Sequence, residues 1–228
     1  MQQPASTPSS DAADRLVEAA RYALMRRLAD TMRHRMVVHL QPIGMITEVL
    51  ERRLRQPAPE LADLHESMAR INGFSRAAVQ ACRDVVTWLA PDVQARVPLD
   101  AAVQECVAML RSNFSFRGFT LRDDTGAQPA LVAQGAMRHL LPACLLALAD
   151  ASHSPAAVAI SAGVTAAHAV LTLQVMANEG TAGYADGTPY RPLQWSEIEA
   201  MGRADGIAVS HEQNAQGACA RLVIALAA

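Results

Sequence analysis

The chain has 228 residues and a mass of 24.4 kDa, enough for one large domain or two small ones. Apolar residues make up 51% and charged residues 18%, with a formal net charge of −2, which argues against a polyanion binder and against wholesale disorder. Aromatics are 4%, too few for base stacking to lead any binding, and all 20 basic residues are arginine, which excludes phosphate-loop, Schiff-base and general-base lysines.

Residues 1–14 have no basic start followed by an apolar block, so they read as a disordered tail and not as a signal peptide. From Tyr22 a seam then runs through Met25, Ala29, Met32, Met36, Leu40, Ile43, Thr47, Leu50 and Leu54 in steps of three or four, which predicts a long helix. Pro57 and Pro59 break it. A second helix carries Leu61, Leu64, Met68, Ile71, Ser75, Ala78, Cys82, Val85 and Leu89 in heptad steps and stops at Pro91. Together they predict an antiparallel helical hairpin over residues 15–95. One hairpin cannot cover two apolar stripes, so pairing of two copies into a four-helix bundle is expected.

Beyond Pro98 the pattern changes. A helix is expected over Leu99–Asn113, a strand over Phe119–Arg122 and a helix over Ala133–Ser152. Strands at Ala157–Gly163 and Ala169–Met176 follow. After a Gly/Pro/Tyr loop over Asn178–Pro192 come a short helix, Leu193–Gly202, and strands Gly206–His211 and Ala218–Ala227. Residues 96–228 thus predict an α/β sandwich, and the whole chain an α+β fold. No uncharged run reaches the 18 residues of a membrane span, so a cytoplasmic protein is expected. The four cysteines, Cys82, Cys106, Cys144 and Cys219, form no CxxC pair; each reads as a small buried hydrophobe, not as a zinc ligand or half of a disulfide.

A hairpin bearing a histidine, followed by such a sandwich, resembles the histidine kinase catalytic core over residues 15–228. His34 is followed by Ile43, Glu48 and Leu50 at spacings like those of the phosphoacceptor helix. His34-Arg35-Met36 through Leu40-Gln41-Pro42-Ile43 looks like the HRxxxxLQxI signature of one kinase subfamily. Leu99-Asp100, Arg117-Gly118-Phe119-Thr120-Leu121, Ala147-Leu148-Ala149-Asp150-Ala151-Ser152 and Gly206-Ile207-Ala208-Val209-Ser210 resemble segments of the kinase ATP-binding (Bergerat) domain. The ATP-handling residues differ from that pattern. Ala147 replaces the asparagine that would hold Mg²⁺, Ala177-Asn178-Glu179-Gly180 lacks the aspartate that would read adenine, and Trp195-Ser196-Glu197-Ile198 stands where the glycine-rich phosphate loop would be. A degenerate nucleotide domain that binds no ATP is therefore expected; a diverged site built on Asn178 or Glu179 is the weaker alternative. The design is similar to the dimeric histidine phosphotransferases of the ChpT type, with Pro42-Ile43-Gly44 a shifted echo of their Pro-x-Gly.

That resemblance implies His34 as phosphoacceptor. On a helical wheel it lies about 200° from Met32 and Met36, away from the seam, with Arg27, Asp30, Thr31, Val37, Val38 and Gln41 on its face. Asp30 is expected to accept a hydrogen bond from Nδ1–H and leave Nε2 as nucleophile, and Arg33 or Arg35 to balance phosphoryl charge. Arg27, Thr31, Val38 and Gln41 are expected to dock the partner. His39 reads as a packing histidine, His65 and His139 as surface or core fillers, and the Arg26, Arg27, Arg33, Arg35 cluster as a solvated face, not a nucleic-acid site. Expected partners are response-regulator receiver domains, a hybrid sensor kinase and a second copy of the chain. No cofactor is expected, Mg²⁺ coming from the receiver. The competing reading is a pseudo-kinase adaptor that binds a kinase or receiver without carrying phosphate.

Overall fold

The computed structural model describes residues 10–184, 190–214 and 217–226. Within these the chain forms two compact units: one made of residues 29–91, the other of residues 10–28 together with those from Asp92 onward. The first helix, α1 (Ser10–Leu54), contributes to both.

Helix α1 starts earlier than expected. Asp11 in its first turn favours the positive end of the helix dipole and pairs with Arg15 one turn on, so residues 10–14 are helical and not tail. The rest of the expected tail, residues 1–9, lies outside the described residues.

In the hairpin unit, α1 from Ala29 meets α2 (Leu61–Leu89) across the Pro57–Pro59 turn. Arg53 faces Asp63 at 3.3 Å near the turn and Arg35 approaches Asp84 at 3.9 Å farther along, an antiparallel register. The buried or half-buried stripe of α2 is Ser67, Ile71, Phe74, Ala78, Ala81, Val85 and Trp88, alternating steps of four and three. The expected seam straddles this stripe. Leu64, Ile71, Ala78 and Val85 lie on it, but Leu61, Met68, Ser75, Cys82 and Leu89 are exposed. Tyr22, Ala29, Leu40, Thr47 and Leu54 of the expected α1 seam are exposed as well, whereas Thr31 and Met32 are buried and His39, Ile43, Ile46 and Leu50 half-buried. Each helix carries two apolar stripes, and periodicity does not say which one the hairpin uses.

The other unit is a sandwich. A small antiparallel sheet pairs β1 (Arg96–Pro98) with β3 (Leu131–Ala133). Between them run α3 (Leu99–Phe116) and β2 (Phe119–Asp123). Then come α4 (Gln134–Asp150), β4 (Ala156–Val164), β5 (His168–Ala177), α5 (Trp195–Ala204), β6 (Ile207–Asn214) and β7 (Gly217–Ala225). The main sheet has the order β2-β4-β5-β7-β6; β2 and β4 are parallel and the other pairs antiparallel. Its buried face alternates at period two: Ala169, Leu171, Leu173 and Val175 on β5, Ala218, Ala220, Leu222 and Ile224 on β7. This confirms the α+β class, with element ends within a few residues of expectation and only β1 and β3 unforeseen.

Helix α4 is the centre of this core. From Ala136 to Ala149 every residue except His139 is buried. Part of its cover comes from the start of α1, where Val17, Ala20, Ala23, Leu24 and Leu28 are buried. Residues 15–28, expected with the hairpin, thus pack with the sandwich. At the end of α3, Gly118 takes φ 78°, a left-handed position open to glycine, and a Cβ there would enter the backbone of Gly183.

Candidate functional site

His34 stands exposed on α1. One turn before it Asp30 is exposed, and after it Val37, Val38 and Gln41 are exposed on the same side. Helical geometry makes this stripe unavoidable, since residues three and four apart share a face. The structure therefore brings together His34, Asp30, Val38 and Gln41 of the expected site.

Three details differ from expectation. Asp30 is paired with Arg33 at 3.0 Å and makes no bond to His34, so the imidazole is not oriented by its own helix. Arg35 reaches toward Asp84 of α2 and so is drawn into the hairpin. Arg27 and Thr31, expected on the docking face, are buried. Thr31 sits at the onset of the buried α1 stripe. Arg27 has a side chain only 1% exposed, because it meets a carboxylate that lies far off in sequence.

That carboxylate is Asp150, the last residue of α4. Arg27 donates through Nη1 and Nη2 to both its oxygens, the second bond measuring 2.9 Å, and Arg117 donates from Nη2 to Oδ1 at 2.8 Å. A guanidinium at such depth is tolerated only with a paired and hydrogen-bonded anion. A second polar group lies nearer the start of α1, where Arg21 donates to Asp205 at 2.8 Å. His139 of α4 feels both. Its pKa falls to about 4, first because burial disfavours the charged imidazole and then because the Arg21 guanidinium repels a proton, against the pull of Asp205. Neither group was legible in the sequence, because their members lie on different elements with no motif to join them.

The positions that diverge from the kinase nucleotide pattern occupy the sandwich unit. Ala147 is buried within α4, where it offers no ligand atom. Asn178 and Glu179 are exposed on the loop after β5. Trp195 opens α5 and stacks on His211 at 4.3 Å between ring centroids. Just ahead of it Arg191 makes a bidentate pair with Glu197 (2.7 and 2.8 Å), which holds that carboxyl below its usual range, while the Gln194 backbone N–H donates to Glu197 at 2.9 Å. Burial pushes the Cys106 and Cys144 thiols far up, so both are inert, as expected of buried hydrophobes; Cys82 is instead exposed. Among the described residues no group of three or more His, Cys, Asp or Glu could hold a metal ion, and no helix is long and apolar enough to cross a membrane.

The exposed half of α2 forms the last feature. Leu61 (77% exposed), Met68 (62%), Val79, Cys82, Val86 and Leu89 repeat in heptad steps along its outer side. Of these, Val79, Cys82 and Val86 line an open groove of about 620 Å³, together with Leu40, Ser75 and Arg83.

No protein-family model and no curated protein matches the chain. Among solved structures it is similar to a histidine kinase from Burkholderia phymatum STM815 (17% identity, 90% of this chain and 98% of that one, TM-score 0.49). It is also similar to the Acinetobacter baumannii histidine kinase AdeS (12% identity, 82% and 98%, TM-score 0.47) and to a bacterial phosphotransferase (16% identity, 87% and 95%, TM-score 0.43).

Proposed function

We propose that this chain is a cytoplasmic histidine phosphotransferase of two-component signalling, which relays a phosphoryl group between receiver domains through His34 and uses no ATP. The observation that carries the reading is the exposed His34, set on a long helix amid Asp30, Val37, Val38 and Gln41, in the sequence context of a phosphoacceptor helix. An acceptor nitrogen must be open to in-line approach by a partner, and this one is.

In the forward step an imidazole nitrogen lone pair attacks the phosphorus of a receiver's aspartyl phosphate. The N–P bond forms, the P–O bond breaks and the receiver carboxylate leaves. A second receiver's aspartate then takes the phosphoryl group by the same exchange in reverse, and the imidazole returns neutral. Mg²⁺ belongs to the receiver. Val38 and Gln41 contact it, and a hybrid sensor kinase is the natural first donor. Ala147, in place of a metal-binding asparagine, supports the absence of ATP chemistry.

The chain acts as a homodimer in this reading. A second copy covers the outer stripe of α2, since a heptad-spaced apolar row of this length is costly to leave in water. Arg76 and Arg83 are exposed beside that stripe and Glu48 is exposed on α1, so two copies offer groups of opposite charge.

The test is phosphotransfer from a panel of phosphorylated receivers to the wild type and to His34→Gln. Acid-labile, base-stable label on the wild type alone is expected. Receiver binding with no label on the wild type overturns the relay and leaves the adaptor.

A further inference from the structure

We propose that Asp150 is a positioning residue for His34, acting through the continuity of α1; the inference rests on the relay reading above. Asp150 ends α4, where the negative end of the helix dipole disfavours a carboxylate. Its presence is therefore not explained by the stability of α4. What it does is hold Arg27, whose side chain would otherwise be a buried and uncompensated charge, with Arg117 sharing the same oxygen. Around this pair Val17, Ala20, Ala23, Leu24 and Leu28 are buried, so the segment 17–28 is a docked helix with an ionic latch at its end.

His34 lies two turns beyond the latch on the same unbroken helix. The character of α1 changes between them. Thr31 and Met32 are still buried, but from Arg33 to Gln41 every residue is exposed or half-buried, so fewer contacts hold this stretch than the latched one. On its far side stands Pro42, which has no N–H to give to the Val38 carbonyl. Helical order propagates from segments already ordered, because starting a helix is the unfavourable step. The sparsely packed turns around His34 thus draw their order from the latched segment before them. In-line attack needs the imidazole held in place, and loss of the latch loosens it.

The experiment is hydrogen exchange on the full-length chain, with transfer rates measured on the same samples. Asp150→Asn removes the carboxylate charge. Arg27→Ala removes the guanidinium and leaves Asp150 with Arg117, so no buried charge is stranded. In both variants amides 17–28 and 30–38 are expected to exchange at least tenfold faster, while β4 and β5 stay protected. Transfer to His34 at saturating receiver falls at least fivefold, with the half-saturating receiver concentration unchanged. Faster exchange confined to 17–28, or transfer that is undiminished in a variant whose 17–28 exchanges fast, overturns the proposal. Exchange coupled as expected, with no label even on the wild type, supports the coupling and separately sinks the relay.

Discussion

Two side chains, the half-buried His139 and the buried Arg27, show how far single groups answer to their surroundings. His139 has a folded pKa of about 4 against an unfolded value near 6.5, so the unfolded chain binds more protons between these limits. Stability is then full above about pH 6.5 and is lost as pH falls toward about 4, by of order 3 kcal/mol. The groups that face it, Arg21, Asp205 and Arg138, include two cations, which keeps protonation from being rescued. Urea unfolding across this range is expected to show the loss in the wild type and a flatter profile in His139→Gln; equal profiles would refute the assignment. The exposure of His34 was legible in the sequence, because it follows from the apolar spacing along one helix. Arg27 was misjudged as a docking residue because its partner lies 123 positions away.

Helix α2 shows the same limit over a longer stretch. Its heptad spacing is plain in the sequence, and so is the presence of two apolar stripes. Which stripe is buried depends on how α1 and α2 pair, and the outer one keeps Met68, Val79, Val86 and Leu89 in water. Burying a valine or leucine side chain is worth about 1.5–3 kcal/mol, so a row of them is a strong drive to associate. Val79→Glu with Val86→Glu is expected to leave helix content unchanged and to convert a dimer to a monomer in light scattering. A monomeric wild type would contradict the bundle. The strands β1 and β3 escaped notice for a simpler reason. Each is three residues long, too short for a period of two to register, and each exists only because the other pairs with it.

Taken whole, the molecule packs α4 on nearly every side, with a stretch of α1 serving as part of the cover. A helix so enclosed presents alanine where a nucleotide domain would present a metal ligand. Calorimetric titration with ATP and Mg²⁺ is accordingly expected to give no binding heat, and a saturable signal would favour a diverged nucleotide site built on Asn178 or Glu179 instead. The α+β architecture, the helical hairpin, the order of the strands along the chain and the exposure of His34 all follow from local patterns: helical and strand periods and proline breaks. These are legible because each is set by residues within a few turns of one another. Assigning 17–28 to the sandwich, burying Arg27 against Asp150, lowering the pKa of His139 and choosing the exposed stripe of α2 belong to the tertiary structure alone. Each depends on which distant elements meet, and on the desolvation and charge pairing that meeting brings about.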